Sequence, residues 1–140
     1  MNVNSTAPRH GWTPLHFAAC LNHSRVVQLL LADPRVEVNY SDCNGDTPLH
    51  CVSLYYSRAN MMQLLLADPR VDVNYKNNDS QTPLMMALVG RYRPHLVEKH
   101  ISHPYLVEEH ISTLRPLLDH PTVDFDTTDM EGRGLKELAR

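Results

Sequence analysis

Residues 11–16 read GWTPLH, residues 45–50 read GDTPLH, and residues 80–85 read SQTPLM. The second stretch begins 34 residues after the first, and the third begins 35 residues after the second. Two further stretches, 28–39 and 63–74, differ at one of their twelve positions. A period of twenty to fifty residues indicates stacked copies of one small structural unit.

The Thr-Pro pairs predict where a first helix begins in each unit. The hydroxyl groups of Thr13 and Thr47 can accept a hydrogen bond from a backbone N–H of the first helical turn. Pro14 and Pro48 then occupy the first helical position, where no backbone donor is needed. Leu15 begins an apolar face on the first of these helices.

A second helix is predicted in residues 26–31, which read VVQLLL. This stretch is too apolar to be stable alone, so the helix must pack on a neighbouring unit. Pro34 removes a backbone donor and restricts Asp33, which ends the helix. The residues that follow, 36–45, predict an extended segment and a turn before the next Thr-Pro pair.

These TPLH motifs, together with the LLLADPRV segments and the Val-Asn pairs that follow, resemble ankyrin repeats. The resemblance covers nearly the whole chain. It implies an all-α ankyrin-repeat solenoid of helix-turn-helix units, joined by short β-hairpin fingers that line a concave groove with the first helices. It also implies that His16 and His50 form structural hydrogen bonds within the repeats.

A single ankyrin-repeat domain is expected over residues 1–140. The third unit is about seventeen residues longer than the first, and residues 94–102 are echoed by residues 104–112. This duplication predicts an inserted pair of short amphipathic helices. The expected division is the end of a preceding finger at 1–10, repeat 1 at 11–44, repeat 2 at 45–79, repeat 3 at 80–131 with a helical insert at about 92–110, and a partial capping repeat at 132–140.

Composition and charge exclude several classes of partner. The formal net charge is −3, and basic and acidic residues are interspersed, so nucleic acid is not an expected partner. There is no apolar run long enough to span a membrane and no secretory signal. We therefore predict an intracellular, cytoplasmic monomer, with the nucleus as the alternative location, that binds neither a membrane nor a small-molecule substrate.

Catalytic and metal-binding motifs are not apparent. Four of the nine histidines fall in the duplicated insert, which accounts for their number, and no cysteine accompanies them. Cys20, Cys43 and Cys51 show no CxxC spacing and no glycine-flanked nucleophile turn. The sequence predicts a chain that is not an enzyme and has no cofactor or metal site.

The resemblance implies that a partner protein or peptide contacts the finger tips and the ends of the first helices. An apolar, aromatic groove there would suit a helical or extended peptide. The predicted partner-binding residues are His10, Trp12, Leu21, Ser41, Cys43, Asn44, Asp46, Tyr55, Lys76, Asn78, Asp79 and Gln81. The resulting hypothesis is a non-catalytic protein–protein interaction module.

Two alternatives remain open. The chain could be the ankyrin portion of a larger adaptor, ubiquitin-ligase substrate receptor or pathogen effector, or it could be an enzyme regulator or inhibitor complete in itself. The resemblance also implies a modification, because Asn39 and Asn74 match the pattern that an asparaginyl hydroxylase prefers in ankyrin-like repeats.

Overall fold

The computed structural model describes residues 2–54, 58–89 and 112–135. Its named helices are α1 (Pro14–Cys20), α2 (Ser24–Leu31), α3 (Pro48–Ser53), α4 (Ala59–Leu66) and α5 (Pro83–Val89). Residues 112–118 are also helical. The predicted insert at about 92–110 and Tyr55 lie outside the described residues.

The helices form two rows. The first helices of successive units pack side by side, α1 on α3 and α3 on α5, while α2 packs on α4 in the second row. Within each unit, α1 contacts α2 and α3 contacts α4. This arrangement confirms the predicted all-α solenoid.

Each first helix of the first two units begins with a reciprocal cap, as the Thr-Pro pairs predict. The Thr13 hydroxyl accepts a hydrogen bond from the backbone N–H of His16 at 3.4 Å. In return, the His16 Nδ1 atom accepts the backbone N–H of Thr13 at 3.2 Å. Thr47 and His50 repeat both bonds at the start of α3. Two donors at each helix end are thereby satisfied.

The apolar core runs through both rows of helices, but equivalent residues are not equally buried. Val26 of α2 is 44% exposed, whereas its equivalent in α4, Met61, is fully buried. Leu29 is 64% exposed, whereas its equivalent, Leu64, is partly buried against the core. The second helix of a unit is therefore covered when the preceding unit packs against it.

A repeated side-chain contact, which we call the asparagine clamp, joins each finger to the next unit. The amide nitrogen of Asn39 donates to the Arg70 carbonyl at 2.7 Å, and its amide oxygen accepts the Asp72 N–H at 2.8 Å. Asn4 makes the same pair of bonds to Arg35 and Glu37, and Asn74 makes them to Thr122 and Asp124. Because the clamps bind backbone atoms, they hold successive units at a constant spacing.

The turn of each finger is built around one acidic or amide side chain. The Asp42 carboxylate accepts the backbone N–H groups of Asn44 and Asp46, both at 2.9 Å. Asn77 and Asp129 form the same pair of bonds in the later fingers. Three residues later, the turns place Gly45, Ser80 and Gly132 at positive φ.

Replacing Ser80 with glycine is expected to stabilise the fold. Ser80 has a φ of 57°, a left-handed conformation that costs a residue with a Cβ atom roughly 1–2 kcal/mol. Glycine avoids this cost but loses about 0.5–1 kcal/mol through its more flexible unfolded state. Urea unfolding should therefore show a gain of about 0.5–1 kcal/mol. Ser41→Gly is the control, because Ser41 lies in the preceding finger and has no positive φ, so this substitution should lower the free energy of unfolding. A lower free energy of unfolding in Ser80→Gly would contradict the prediction.

None of the helices within the described residues is long and apolar enough to cross a bilayer.

Candidate functional site

A cleft of about 400 Å³ opens between the fingers and the first helices. It combines residues from three successive units, at the place where the resemblance implies a concave groove. The residues that line it are Arg9, His10, Trp12, Cys20, Asp42, Cys43, Asn44, Asp46, Cys51, Leu54 and Met86.

Trp12 forms one wall of the cleft and is held on several sides. Its indole nitrogen donates to the Asp42 carboxylate at 3.0 Å, which ties the first finger to the second. Its ring stacks on His16 with centroids 6.2 Å apart and meets the edge of Phe17 at 5.1 Å. The half-buried Trp12 is therefore both a structural brace and a fixed apolar surface of the cleft.

A row of backbone hydrogen bonds, which we call the finger ladder, fixes the finger tips relative to one another. The Cys43 N–H donates to the His10 carbonyl at 3.0 Å, and the Asn78 N–H donates to the Asn44 carbonyl at 3.0 Å. The next finger continues the row, with the Met130 N–H bonded to the Asp79 carbonyl at 3.1 Å. The side chains of His10 and Asn44 remain exposed at the rim of the cleft.

Below the fingers, the two capping histidines link one unit to the next. His16 Nε2 donates to the Asp46 carbonyl at 2.8 Å, and His50 Nε2 donates to the Gln81 carbonyl at 2.9 Å. Since each Nδ1 accepts a backbone N–H, the neutral Nε2-protonated form satisfies both ring nitrogens. Burial lowers the pKa of both imidazoles below 6.5. The predicted structural role of these histidines is in keeping with these contacts.

The lowered histidine pKa values predict that stability falls in mild acid. Below pH 6.5 the unfolded chain protonates His16 and His50 more readily than the folded chain does, because their pKa values are lowered only in the folded state. The free energy of unfolding should therefore fall by up to about 2.5 kcal/mol between pH 7.5 and pH 5.5. Burial raises the pKa of Asp46, and this shift acts in the opposite direction, because the folded chain binds a proton at that carboxyl more readily than the unfolded chain does.

Urea unfolding at several pH values measures this dependence. Hydrogen bonds with Arg70 lower the pKa of Asp68. The stability that Asp68 contributes is lost only as the pH approaches 3.8 and below, so Asp68 contributes little to the change between pH 7.5 and pH 5.5. Stability that is constant down to pH 5.5 would rule out the assigned neutral histidines.

Asp46 lies in the cleft but is largely committed to the fold. Its side chain is 5% exposed, and its carboxylate accepts a hydrogen bond from the Asn77 amide at 2.9 Å. Its backbone carbonyl binds His16. A partner can therefore reach only a small part of Asp46.

Three groups of metal-ligand type lie close together beside the cleft, and two of them, Asp42 and Cys51, line it. One atom from each of His16, Asp42 and Cys51 falls within 4.8 Å of the others. However, both His16 nitrogens are hydrogen-bonded, and the Asp42 oxygens accept bonds from Trp12 and two backbone N–H groups. A cation would have to displace these bonds, so the arrangement fits a hydrogen-bonded support for the fingers better than a metal centre.

The structure brings only part of the predicted partner-binding set to the cleft. His10, Trp12, Cys43, Asn44 and Asp46 line it. Of the other seven predicted residues, six do not line the cleft, and Tyr55 is not among the described residues. The exposed group is Leu21, Lys76, Asn78 and Asp79, and the half-buried group is Ser41 and Gln81.

Several of the predicted residues outside the cleft make contacts between fingers. The Asn78 amide donates to the Cys43 carbonyl at 3.0 Å, and the Lys76 ammonium donates to the Thr128 carbonyl at 3.2 Å. Asn39 and Asn74, the predicted modification targets, are clamp residues whose amide atoms are both hydrogen-bonded.

Six lining residues were not in the predicted partner-binding set, namely Arg9, Cys20, Asp42, Cys51, Leu54 and Met86. Asp42 occupies the turn position that reappears as Asn77, and this recurrence was a usable signal. Met86 reaches the cleft from the third unit, and nothing in its local sequence distinguishes it from a core methionine.

The fold is a helical-repeat solenoid. Its helical pairs are stacked, its histidine caps bond the next unit, and its finger turns are joined in a row. The chain belongs to the ankyrin-repeat family, whose model matches residues 10–43 and 44–78. It is 39% identical to Rabankyrin-5 of Mus musculus over 54 residues. This matched stretch covers 39% of this chain and 4% of the length of Rabankyrin-5. Ankyrin repeats are protein-interaction modules and are typically non-catalytic.

Proposed function

We propose that this chain binds a partner protein or peptide through the cleft between its fingers and first helices, without catalysing a reaction. The observation that supports this proposal is the mixed lining of the cleft, which offers both apolar and polar groups to a partner. Trp12, Leu54 and Met86 supply apolar surface from three successive units, and His10 and Asn44 supply exposed polar groups.

The rigidity of the cleft favours binding. The finger ladder, the Trp12–Asp42 bond and the asparagine clamps fix the lining before a partner arrives. Less conformational entropy is then lost on association. A volume of about 400 Å³ falls at the small end of ligand pockets. It suits one or two apolar side chains projecting from an extended or helical segment.

Quantitative affinity capture from a cell lysate tests the proposal. The cleft variant is His10→Ala with Asn44→Ala, chosen because the finger ladder uses the backbone carbonyls of these residues. The matched control is Arg25→Ala with Gln28→Ala, which removes two exposed side chains of α2 away from the cleft. Circular dichroism and thermal unfolding should show that all three proteins are equally folded.

We expect proteins captured by the wild type to be recovered at least about tenfold less by the cleft variant, equivalent to about 1.4 kcal/mol of binding free energy. The α2 variant should retain them. Equal recovery by the cleft variant and the wild type would contradict the proposed binding surface, and selective loss in the α2 variant would move it to the second helices.

We also consider the alternative that these repeats act within a larger adaptor. It is favoured by the match to Rabankyrin-5, in which the similar stretch is a small part of a much longer chain. An immunoblot of the native protein with an antibody raised against residues 10–78 tests this. A band well above the 16.0 kDa of this chain would support the adaptor, and a band at that size would contradict it.

A further inference from the structure

Two thiols from different repeats line the same cleft. Cys20 ends α1 and Cys51 lies in α3, and these two helices pack side by side. Each cysteine is 6% exposed, and both line the same cleft. Each thiol shifts the pKa of the other, which requires their sulfur atoms to lie close together. The pair is therefore close together, shielded from bulk solvent and open to a small reagent that enters the cleft.

The surrounding charges distinguish the two thiols. The hydrogen bond from Cys51 lowers the pKa of Cys20 against the effect of burial, and the Arg58 guanidinium adds to the lowering. The hydrogen bond with Cys20 and burial both raise the pKa of Cys51, and the carboxylates of Asp42 and Asp46 act in the same direction. Cys20 is thus the first of the pair to become a thiolate, the nucleophilic form of cysteine.

We propose that Cys20 and Cys51 form a redox-active dithiol, which hydrogen peroxide entering the cleft converts into a disulfide between the first and second repeats. The inference does not depend on the proposed partner binding. It assigns a modification site to two residues whose shared position is otherwise unexplained by the capping, clamp or turn contacts.

The reaction balances with peroxide as the oxidant. The Cys20 thiolate attacks one peroxide oxygen, the O–O bond breaks, and Cys20 becomes a sulfenic acid while the released hydroxide takes the proton that Cys20 lost. The Cys51 sulfur then attacks the Cys20 sulfur, so that the S–S bond forms and the S–O bond breaks. The departing hydroxide takes the Cys51 proton. Two thiols and one peroxide give one disulfide and two waters, and a dithiol reductant reverses the oxidation.

Cys43 provides an internal comparison. It is exposed on the second finger, and its thiol points to the Arg9 carbonyl at 3.7 Å. Oxidation governed by exposure would select Cys43, whereas oxidation governed by the paired geometry would select Cys20 and Cys51. The two explanations therefore predict different products.

The experiment uses the full-length chain carrying Cys43→Ser. This substitution is needed because no Lys or Arg lies between Cys43 and Cys51, so trypsin leaves both on the peptide 36–58. The reduced protein is treated with hydrogen peroxide in the presence of a chelator, which prevents bound metal from protecting the thiols. Intact mass, free-thiol titration and a non-reducing tryptic map are then recorded.

The expected result is loss of both thiols together, a mass decrease of two hydrogens, and a linkage between peptides 10–25 and 36–58 that disappears on reduction. Adding Cys51→Ser should stop the reaction at a Cys20 sulfenic acid, which a cyclic diketone traps. Adding Cys20→Ser instead should leave Cys51 reduced under the same conditions.

Several results would overturn the proposal. One is that Cys20 and Cys51 of the Cys43→Ser chain stay reduced at a peroxide concentration that oxidises Cys43 in the wild type. Another is that the Cys43→Ser chain forms disulfides only between molecules. Circular dichroism verifies that each variant is folded. Should a serine variant at Cys20 or Cys51 unfold, the linkage map of the Cys43→Ser chain still decides the question.

Discussion

Replacing His50 with alanine is expected to lower the free energy of unfolding by about 4 kcal/mol, the largest effect anticipated for a single capping residue. His50 is fully buried, so truncation leaves a cavity in the row of first helices. It also removes the acceptor for the Thr47 N–H and the donor for the Gln81 carbonyl. One substitution therefore damages both a helix cap and the contact between the second and third units.

Urea unfolding followed by circular dichroism measures this loss. His23→Ala is the matched control, because His23 is an exposed histidine whose removal should change stability by less than about 0.5 kcal/mol. If His50→Ala cost less than about 1 kcal/mol, the imidazole would not be the link between repeats that its two hydrogen bonds indicate.

Replacing Gly45 with alanine is expected to cost about 3 kcal/mol. Gly45 has a φ of 78°, and an added Cβ atom would lie 2.6 Å from the backbone nitrogen of Asn78. That nitrogen donates to the Asn44 carbonyl in the finger ladder. The substitution therefore has two costs. The methyl group overlaps with the backbone of the next finger, and alanine must adopt a left-handed conformation.

Gly132→Ala separates these two contributions. Gly132 has a similar φ of 74°, but nothing lies within 4 Å of the added Cβ atom. It should therefore cost only the left-handed conformation, about 1 kcal/mol. Thermal unfolding of both variants gives the comparison. Equal losses in the two variants would mean that the second and third fingers separate freely, contrary to the close packing observed.

The capping and helix starts could be predicted because their causes are local. Thr13, Pro14 and His16 lie within four residues, and each satisfies a requirement of a helix end. The exposure of the second helices could not be predicted in this way. Val26 and Met61 occupy equivalent places in two similar stretches, yet only Met61 is covered by a preceding unit. Burial here depends on the neighbour and not on the stretch itself.

The family resemblance implied a groove between the fingers and the first helices, but the roles of the residues that line the cleft depend on contacts about thirty residues apart. Trp12 and Asp42 are 30 residues apart, and their hydrogen bond is not encoded in either turn alone. Cys20 and Cys51 do not occupy equivalent repeat positions, since Cys20 aligns with Leu54. Comparison of the units with one another therefore gives no sign that these two thiols meet.

The asparagine clamps have a consequence for how this molecule tolerates changes in length. Asn39 reaches a carbonyl 31 residues later, and Asn74 reaches the equivalent carbonyl 48 residues later, a difference of 17 residues, yet both bonds measure 2.7 Å. The same clamp geometry is thus kept although the number of residues between its two partners differs. The number of residues between α5 and the 112–118 helix can accordingly change while the Asn74 clamp keeps both of its backbone hydrogen bonds.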